Sequence, residues 1–305
     1  MISGDIPTPR QPRRLLWLSG IVLLAIVLTS PVTQAPTPEP RASALQANDT
    51  RLTVMTLNLG DGLVAPNDLV SYIRQIGANL VALQEVTPEI ADALATDLVD
   101  ILPYQVVRGL GIPGKALLSS YPITHAEWLE LNPGRPDLLA TVDVAGRPID
   151  VLVAHPPPPE LDDGIVQPRE GTFEQFDRIV GIAAAAENPF LLMGDLNETA
   201  LQSRHGELEA LGLRDVFAEV GTGSGDTYPN RVPPLPDFLI RPVLRIDYIW
   251  ASADWLLLAA AVGEDVGSDH LPVTAQLALA GAVAPATAMA AGSVATPVDS
   301  DPGPP

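Results

Sequence analysis

No cysteine occurs among the 305 residues. That excludes disulfides, thiolate metal sites and a lipid-modified N-terminal cysteine, and it leaves the redox compartment unmarked. Lysine is almost as scarce: Lys115 is the single one, and the formal net charge is −20. A surface this acidic repels polyanions, which argues against long nucleic acid held on a basic face unless a bound divalent cation changes the local field. Aromatic residues amount to 5% against 47% apolar residues overall, enough for one large domain with a buried core. No internal repeat of fixed period is present.

What is there begins with an address. Arg10, Arg13 and Arg14 precede LLWLSGIVLLAIVLT, Leu15 to Thr29. Basic residues before a short apolar run fit a signal-peptide core or a short single anchor. TQA at Thr33 to Ala35 is followed by Pro36, and ASA at Ala42 to Ala44 lies far from the apolar run, so no clean cleavage site stands out. The expectation is an exported protein, either anchored in the cell membrane facing outside or secreted. Residues 1–14 form its basic cytoplasmic N-terminus, 15–30 the anchor or signal-peptide core, and 31–50 a Pro-rich linker. Residues 51–279 form the domain and 280–305 a disordered tail.

Within 51–279, strand and helix signals alternate. RLTVMTLNL, NLVALQEV, KALLSS, PITHAEWLEL, DLLATVDV, IDVLVAH, FLLMGDL, RIDYIWAS and LPVTAQLAL read as strands. NDLVSYIRQIG reads as a helix capped by Asn67. TPEIADALATDL, with a proline at its first helical position, and TFEQFDRIVGIAAAA read as two more. Ala145-Gly146-Arg147-Pro148 reads as a hairpin turn. Neighbouring strands outnumber the helices, so mixed sheets with helices outside are expected rather than a strict βαβ repeat.

Polar groups recur where apolar strands stop. Asn58 follows VMTL, Glu85 follows LVALQ, His155 follows IDVLVA, and Asp195 and Asn197 follow FLLMG. Asp247 sits in RIDYIW, and Asp269 and His270 sit in SDHLPV just ahead of a strand. A single residue of this kind is usually a cap, but sheets bring strand ends together, so a set of them can share one cleft. Other polar residues carry no such pattern: His125 and His205 read as surface or packing residues, Lys115 and Arg178 as solvated. Trp250 and Trp255 read as core. HPPPPELDDG, from His155, reads as a stiff loop bordering the cleft.

TLNLG, LQEV, GKALLSSYPI, GDLNET, IDYIW and SDHLPV resemble, in order and type, the signature segments of the endonuclease/exonuclease/phosphatase superfamily. That is the fold of DNase I-like nucleases, inositol-polyphosphate phosphatases and bacterial sphingomyelinases. The resemblance spans nearly all of 51–279 and implies an α/β four-layer sandwich, two packed mixed β-sheets flanked by helices. It implies a metal-dependent phosphoester hydrolase, with Mg2+ as cation and Mn2+ or Ca2+ as alternatives. Glu85 resembles the main metal carboxylate, supported by Asn58 and Asp269. His270 resembles the histidine that binds phosphate or acts on the attacking water, with Asp269 or Asp247 orienting it. Asp195 resembles the group that positions or deprotonates that water, Asn197 the donor to developing negative charge, and His155 a leaving-group acid or phosphate contact. Carboxylates so gathered raise one another's pKa until a cation binds. The expected substrate is a small or lipid-linked phosphoester, with nucleic acid as the alternative, and the expected state is a monomer.

Overall fold

The structure, a computed structural model, describes residues 49–279 apart from 163–164, 202 and 233. The expected anchor, most of the linker and the tail lie outside the described residues. Among the described residues no helix is long and apolar enough to cross a membrane.

Strands β1 (Thr50–Asn58), β2 (Leu80–Gln84), β3 (Tyr104–Arg108), β4 (Lys115–Ser119), β13 (Trp255–Val262) and β14 (Val273–Leu279) make the first sheet, in the order β13-β14-β1-β2-β4-β3. Strands β5 (Ile123–Asn132), β6 (Arg135–Val144), β7 (Arg147–Val153), β10 (Phe190–Asp195), β11 (Arg214–Asp215) and β12 (Asp247–Ala251) make the second, in the order β11-β12-β10-β7-β6-β5. β8 (Glu160–Asp162) and β9 (Ile165–Gln167) form a small hairpin where the proline-rich stretch suggested only a loop.

The helices are α1 (Pro66–Ile76), α2 (Pro88–Asp97), α3 (Thr172–Ala185), α4 (Ser203–Ala210) and the short α5 (Val216–Val220). Three apolar clusters separate four layers. Leu52, Val54, Leu80 and Leu117 meet Leu138, Val151, Val153, Leu191 and Met193 between the sheets. Met55, Leu57, Val81 and Leu83 face α1 and α2, and Leu152, Leu192 and Trp250 face α3 and α4. Every second residue of a central strand thus points to one of two dry faces, which is why these strands read as unbroken apolar runs. The expected four-layer sandwich is what the chain forms.

Local chemistry sets the element ends. In α2, Thr87 Oγ1 accepts a hydrogen bond from the Ile90 N–H at 3.4 Å and Pro88 opens the helix. α1 starts earlier than the Asn67 cap predicts. Pro66, with its fixed φ, already opens the helix; Ala65 is the N-cap, and no side chain caps it. The β6–β7 hairpin pairs Val144 with Arg147, leaving Ala145 and Gly146 at φ 54° and 85°, the left-handed values a two-residue hairpin turn needs. β3 and β13 had no clear sequence signal. β3 is a partly exposed edge, and WLLLAAAV carries no boundary of its own.

His125 is exposed, and Trp250 and Trp255 are core residues. Arg178 lies on the exposed face of α3 and donates to the carbonyls of Glu130 and Leu131, tying that helix to β5. His205 packs edge-on against Tyr248, ring centroids 4.6 Å apart, and neither ring nitrogen has a partner. Burial lowers its pKa from 6.5 to about 4. The unfolded chain binds a proton there that the native state refuses, so stability falls as pH drops from about 6.5 towards 4. We expect the His205 part of that loss to reach roughly 2 kcal/mol at pH 4.5. Urea unfolding at pH 7.5 and 4.5 should show His205→Phe losing less than the wild type.

Candidate active site

β1 and β2 run parallel, as do β7 and β10, so four strand ends point the same way. β12 is antiparallel to β10 with Asp247 opposite Asp195, and β14 is antiparallel to β1 with Val273 opposite Thr56. Asn58, Glu85, His155, Asp195, Asn197, Asp247, Asp269 and His270 therefore all reach one rim of the stacked sheets.

Asp195 is at the centre and is buried. Its Oδ2 accepts from Asn58 Nδ2 at 3.0 Å and Asn197 Nδ2 at 3.2 Å, and lies 3.5 Å from His155 Nε2 and 3.7 Å from His270 Nε2. Asn58 Nδ2 also reaches Glu85 Oε1 at 3.3 Å, and that oxygen lies 3.8 Å from His155 Nε2. Alternation along an extended strand is not what joins Asp195 and Asn197. Asn197 turns left-handed at φ 52°, and its backbone N–H donates to Asp195 Oδ1 at 2.9 Å. Its amide also donates to the Pro156 carbonyl at 2.9 Å, so the proline stretch borders the site and Asn197 acts here as a brace for Asp195.

His270 is oriented by Asp247, not Asp269: Nδ1 lies 2.9 Å from Asp247 Oδ2, which also accepts from Thr227 Oγ1 at 2.6 Å. Tyr228 lies against the ring, centroids 4.7 Å apart. Two glycines make room. A Cβ at Gly194 would lie 1.9 Å from the Ala154 carbonyl oxygen where β10 meets the end of β7. One at Gly60 would lie 2.5 Å from Asp269 Oδ1.

The charges are uneven. Burial, then the Asp269 carboxylate, push Glu85 up to about 7 from 4.5. Burial likewise pushes Asp195 up to about 7, Asp247 adding to it against the opposing His270. For His270, burial alone would favour the neutral ring, but Asp247, Asp195 and Asp269 outweigh it and hold the pKa well above 6.5. Burial, with Lys115 and Arg135 nearby, lowers His155 well below 6.5. At neutral pH the site holds one imidazolium and one neutral imidazole.

A hard divalent cation fits this donor set. Glu85 is the partly open carboxylate, its side chain 17% exposed, and Asp269 stands close enough to raise its pKa. Both offer oxygen, as Mg2+ requires. One ligand atom each from Asp195, Asp247 and His270 also lie within 4.8 Å of one another. There, however, His270 Nδ1 is engaged with Asp247 and two amides occupy Asp195 Oδ2. The Glu85 side is the better seat.

Sequence reasoning did not single out Thr227, Tyr228 or Ser268, whose hydroxyl donates to the Asn58 carbonyl at 2.6 Å. Ser268 is the first residue of SDHLPV and was within reach of it; Thr227 follows no apolar run and gave no signal. It also missed Arg135, whose Nη1 is buried without a partner and which lies near enough to feel Glu85 and Asp195. Lys115 is not solvated as expected but wholly buried.

A sequence profile of the Endonuclease/Exonuclease/phosphatase family matches residues 55–270. The chain belongs to that family. Solved structures share the fold. An endonuclease/exonuclease/phosphatase from Beutenbergia cavernae DSM 12333 is 24% identical, TM-score 0.58, over 77% of this chain and 73% of its own. D. rerio TDP2 complexed with single strand DNA product is 18% identical, TM-score 0.57, over 75% and 99%. Staphylococcus aureus beta toxin is 18% identical, TM-score 0.55, over 73% and 99%. Among curated proteins none matches the sequence. As an endonuclease/exonuclease/phosphatase family member with this buried cluster, the chain is a hydrolase of phosphoesters that depends on a divalent metal.

Because Glu85 and Asp195 lose their protons near pH 7 in the metal-free protein, a cation competes with protons there. Below that range the native carboxyls are protonated and the cation gains little. Above it the ionised pair costs stability that a cation relieves. Added Mg2+ should raise the melting temperature clearly at pH 8 and little at pH 6, read by scanning calorimetry of EDTA-stripped protein.

Proposed function

We propose that the protein is an exported Mg2+-dependent phosphodiesterase or phosphatase acting, as a monomer, on a small or lipid-linked phosphoester. We further propose that residues 15–30 hold or direct it to the outer face of the cell membrane. The observation that carries the catalytic part is Asp195, a buried carboxylate with a pKa of about 7, held by two asparagine amides between two histidines.

The cation would be held by Glu85 with Asn58 and Asp269 beside it, with Mn2+ or Ca2+ as the alternatives to Mg2+; it supplies charge neutralisation of the phosphoryl oxygens. The rest is the chain's own work. Asp195, tuned near neutrality, orients a water and takes its proton. His270, kept charged by Asp247, donates to a phosphoryl oxygen. His155, neutral, stands on the other side of Asp195, its Nε2 3.5 Å away. Arg135 offers an unpartnered guanidinium nitrogen to the same region.

Support for a small or lipid-linked substrate is the net charge of −20 with a single lysine, which is turned inward. The second reading, an exported nuclease, is favoured by His155 at the rim beside Asp195 and Glu85. Turnover of bis-p-nitrophenyl phosphate, phospholipid vesicles and supercoiled plasmid, with Mg2+ and then EDTA, separates them. The account expects Mg2+-dependent turnover of the first two to exceed plasmid nicking. Rapid nicking at physiological ionic strength would establish the nuclease instead.

A further inference from the structure

The chain's only lysine is buried inside the sandwich, and its charge crosses from one sheet to the other. Lys115 belongs to β4 of the first sheet. Its Nζ donates to the Pro136 carbonyl at 2.8 Å and lies 3.4 Å from Asp137 Oδ1, both on β6 of the second sheet. Asp137 is equally buried, and both its oxygens accept from N–H groups. Oδ1 accepts from the His155 backbone at 3.0 Å, and Oδ2 from Gln175 Nε2, on α3, at 2.7 Å. N–H donors on both oxygens favour the ionised carboxyl against the burial that opposes it, and a buried carboxylate needs a counter-charge. Lys115 supplies it.

Stability alone does not call for such a pair, since an apolar pair of similar volume is often as good or better. The location gives it another use. The N–H that Asp137 holds belongs to His155, whose Nε2 is 3.5 Å from Asp195 and 3.8 Å from Glu85. His155 Nδ1 is buried without a well-formed hydrogen bond; only the Ile112 backbone lies near enough to act on the ring as an acceptor, and no carboxylate holds its far nitrogen in the usual way. Its placement therefore depends largely on its backbone, and that backbone N–H is held by Asp137. The pair thus locks the spacing of the two sheets at the point where the first contributes Glu85 and the second His155 and Asp195.

We propose that Lys115 and Asp137 are positioning residues: a buried inter-sheet clamp that sets His155 against Asp195 and Glu85. This rests on the hydrolase reading of the site. Lys115→Met should lower kcat by about 10- to 100-fold at saturating Mg2+ and substrate, with KM little changed. Lys115→Met alone leaves a buried charge unpaired and can fail to fold. Lys115→Met/Asp137→Leu leaves none, and should fold yet keep the low kcat. A folded double variant with wild-type kcat would overturn the proposal.

The single lysine allows a second reading in the unaltered full chain. Protein labelled only in lysine gives one side-chain NMR signal. It should shift when Mg2+ and inorganic phosphate are added, as a clamp coupled to the site requires; a signal that does not move contradicts the clamp. If the wild type hydrolyses no phosphoester, the functional reading fails, while the lysine signal still reports whether the clamp senses the site.

Discussion

Asp195→Asn is expected to lower kcat/KM for a phosphodiester by about 10³- to 10⁴-fold, and excess Mg2+ should not restore it. The side chain keeps its size but loses the ability to take a proton. In the wild type that proton is accepted near pH 7, because burial and Asp247 disfavour the charge that His270 and the Asn58 amide favour. The rising limb of the pH–rate profile should reflect this carboxyl. Because a bound cation favours its charged form, the limb should lie below pH 7 and move down as Mg2+ is raised. Were Asp195 chiefly a cation ligand, extra Mg2+ would recover the Asn variant; steady-state kinetics over a Mg2+ series decides between the two.

The second large effect divides labour across the rim. Glu85→Gln should raise the Mg2+ concentration for half-maximal activity by about 10- to 100-fold, with much of kcat recovered at saturation. His270→Asn should leave that midpoint in place and lower kcat by about 10²- to 10⁴-fold. The reasoning is geometric. Glu85 is the more open carboxylate and stands beside Asp269. His270 is buried, fixed through Nδ1 by Asp247, and presents only Nε2 to the cleft. Superimposable Mg2+ titrations for the two variants would refute this division.

Much of the site was legible because a mixed sheet converts chain order into geometry. Asn58 ends β1 and Glu85 follows its parallel neighbour β2 in one sheet, Asp195 ends β10 and His155 follows its parallel neighbour β7 in the other, and an apolar run before each marks where the strand stops. What could not be read lies where partners come from another sheet or from a loop. A lysine opening KALLSS looks like the wet end of a strand until Asp137 arrives from β6. Thr227 looks like a turn residue until its hydroxyl reaches Asp247. Asp269, next to His270 in the chain, offered itself as its orienter, and Asp247 as an orienter of catalytic side chains in general; the 2.9 Å contact of His270 Nδ1 with Asp247 Oδ2, from a strand that sets Asp247 opposite Asp195, decides for Asp247. The Asn67 cap failed for a local reason, the proline just before it.

The central claim is that residues far apart in sequence gather round one divalent ion at a single rim. Anomalous diffraction from a crystal of the protein soaked in Mn2+ and phosphate tests it most directly. The account predicts a peak in direct contact with the Glu85 carboxylate, with phosphate between it and His270. A strong Mn2+ peak elsewhere on the molecule, with that rim empty of metal, would contradict it.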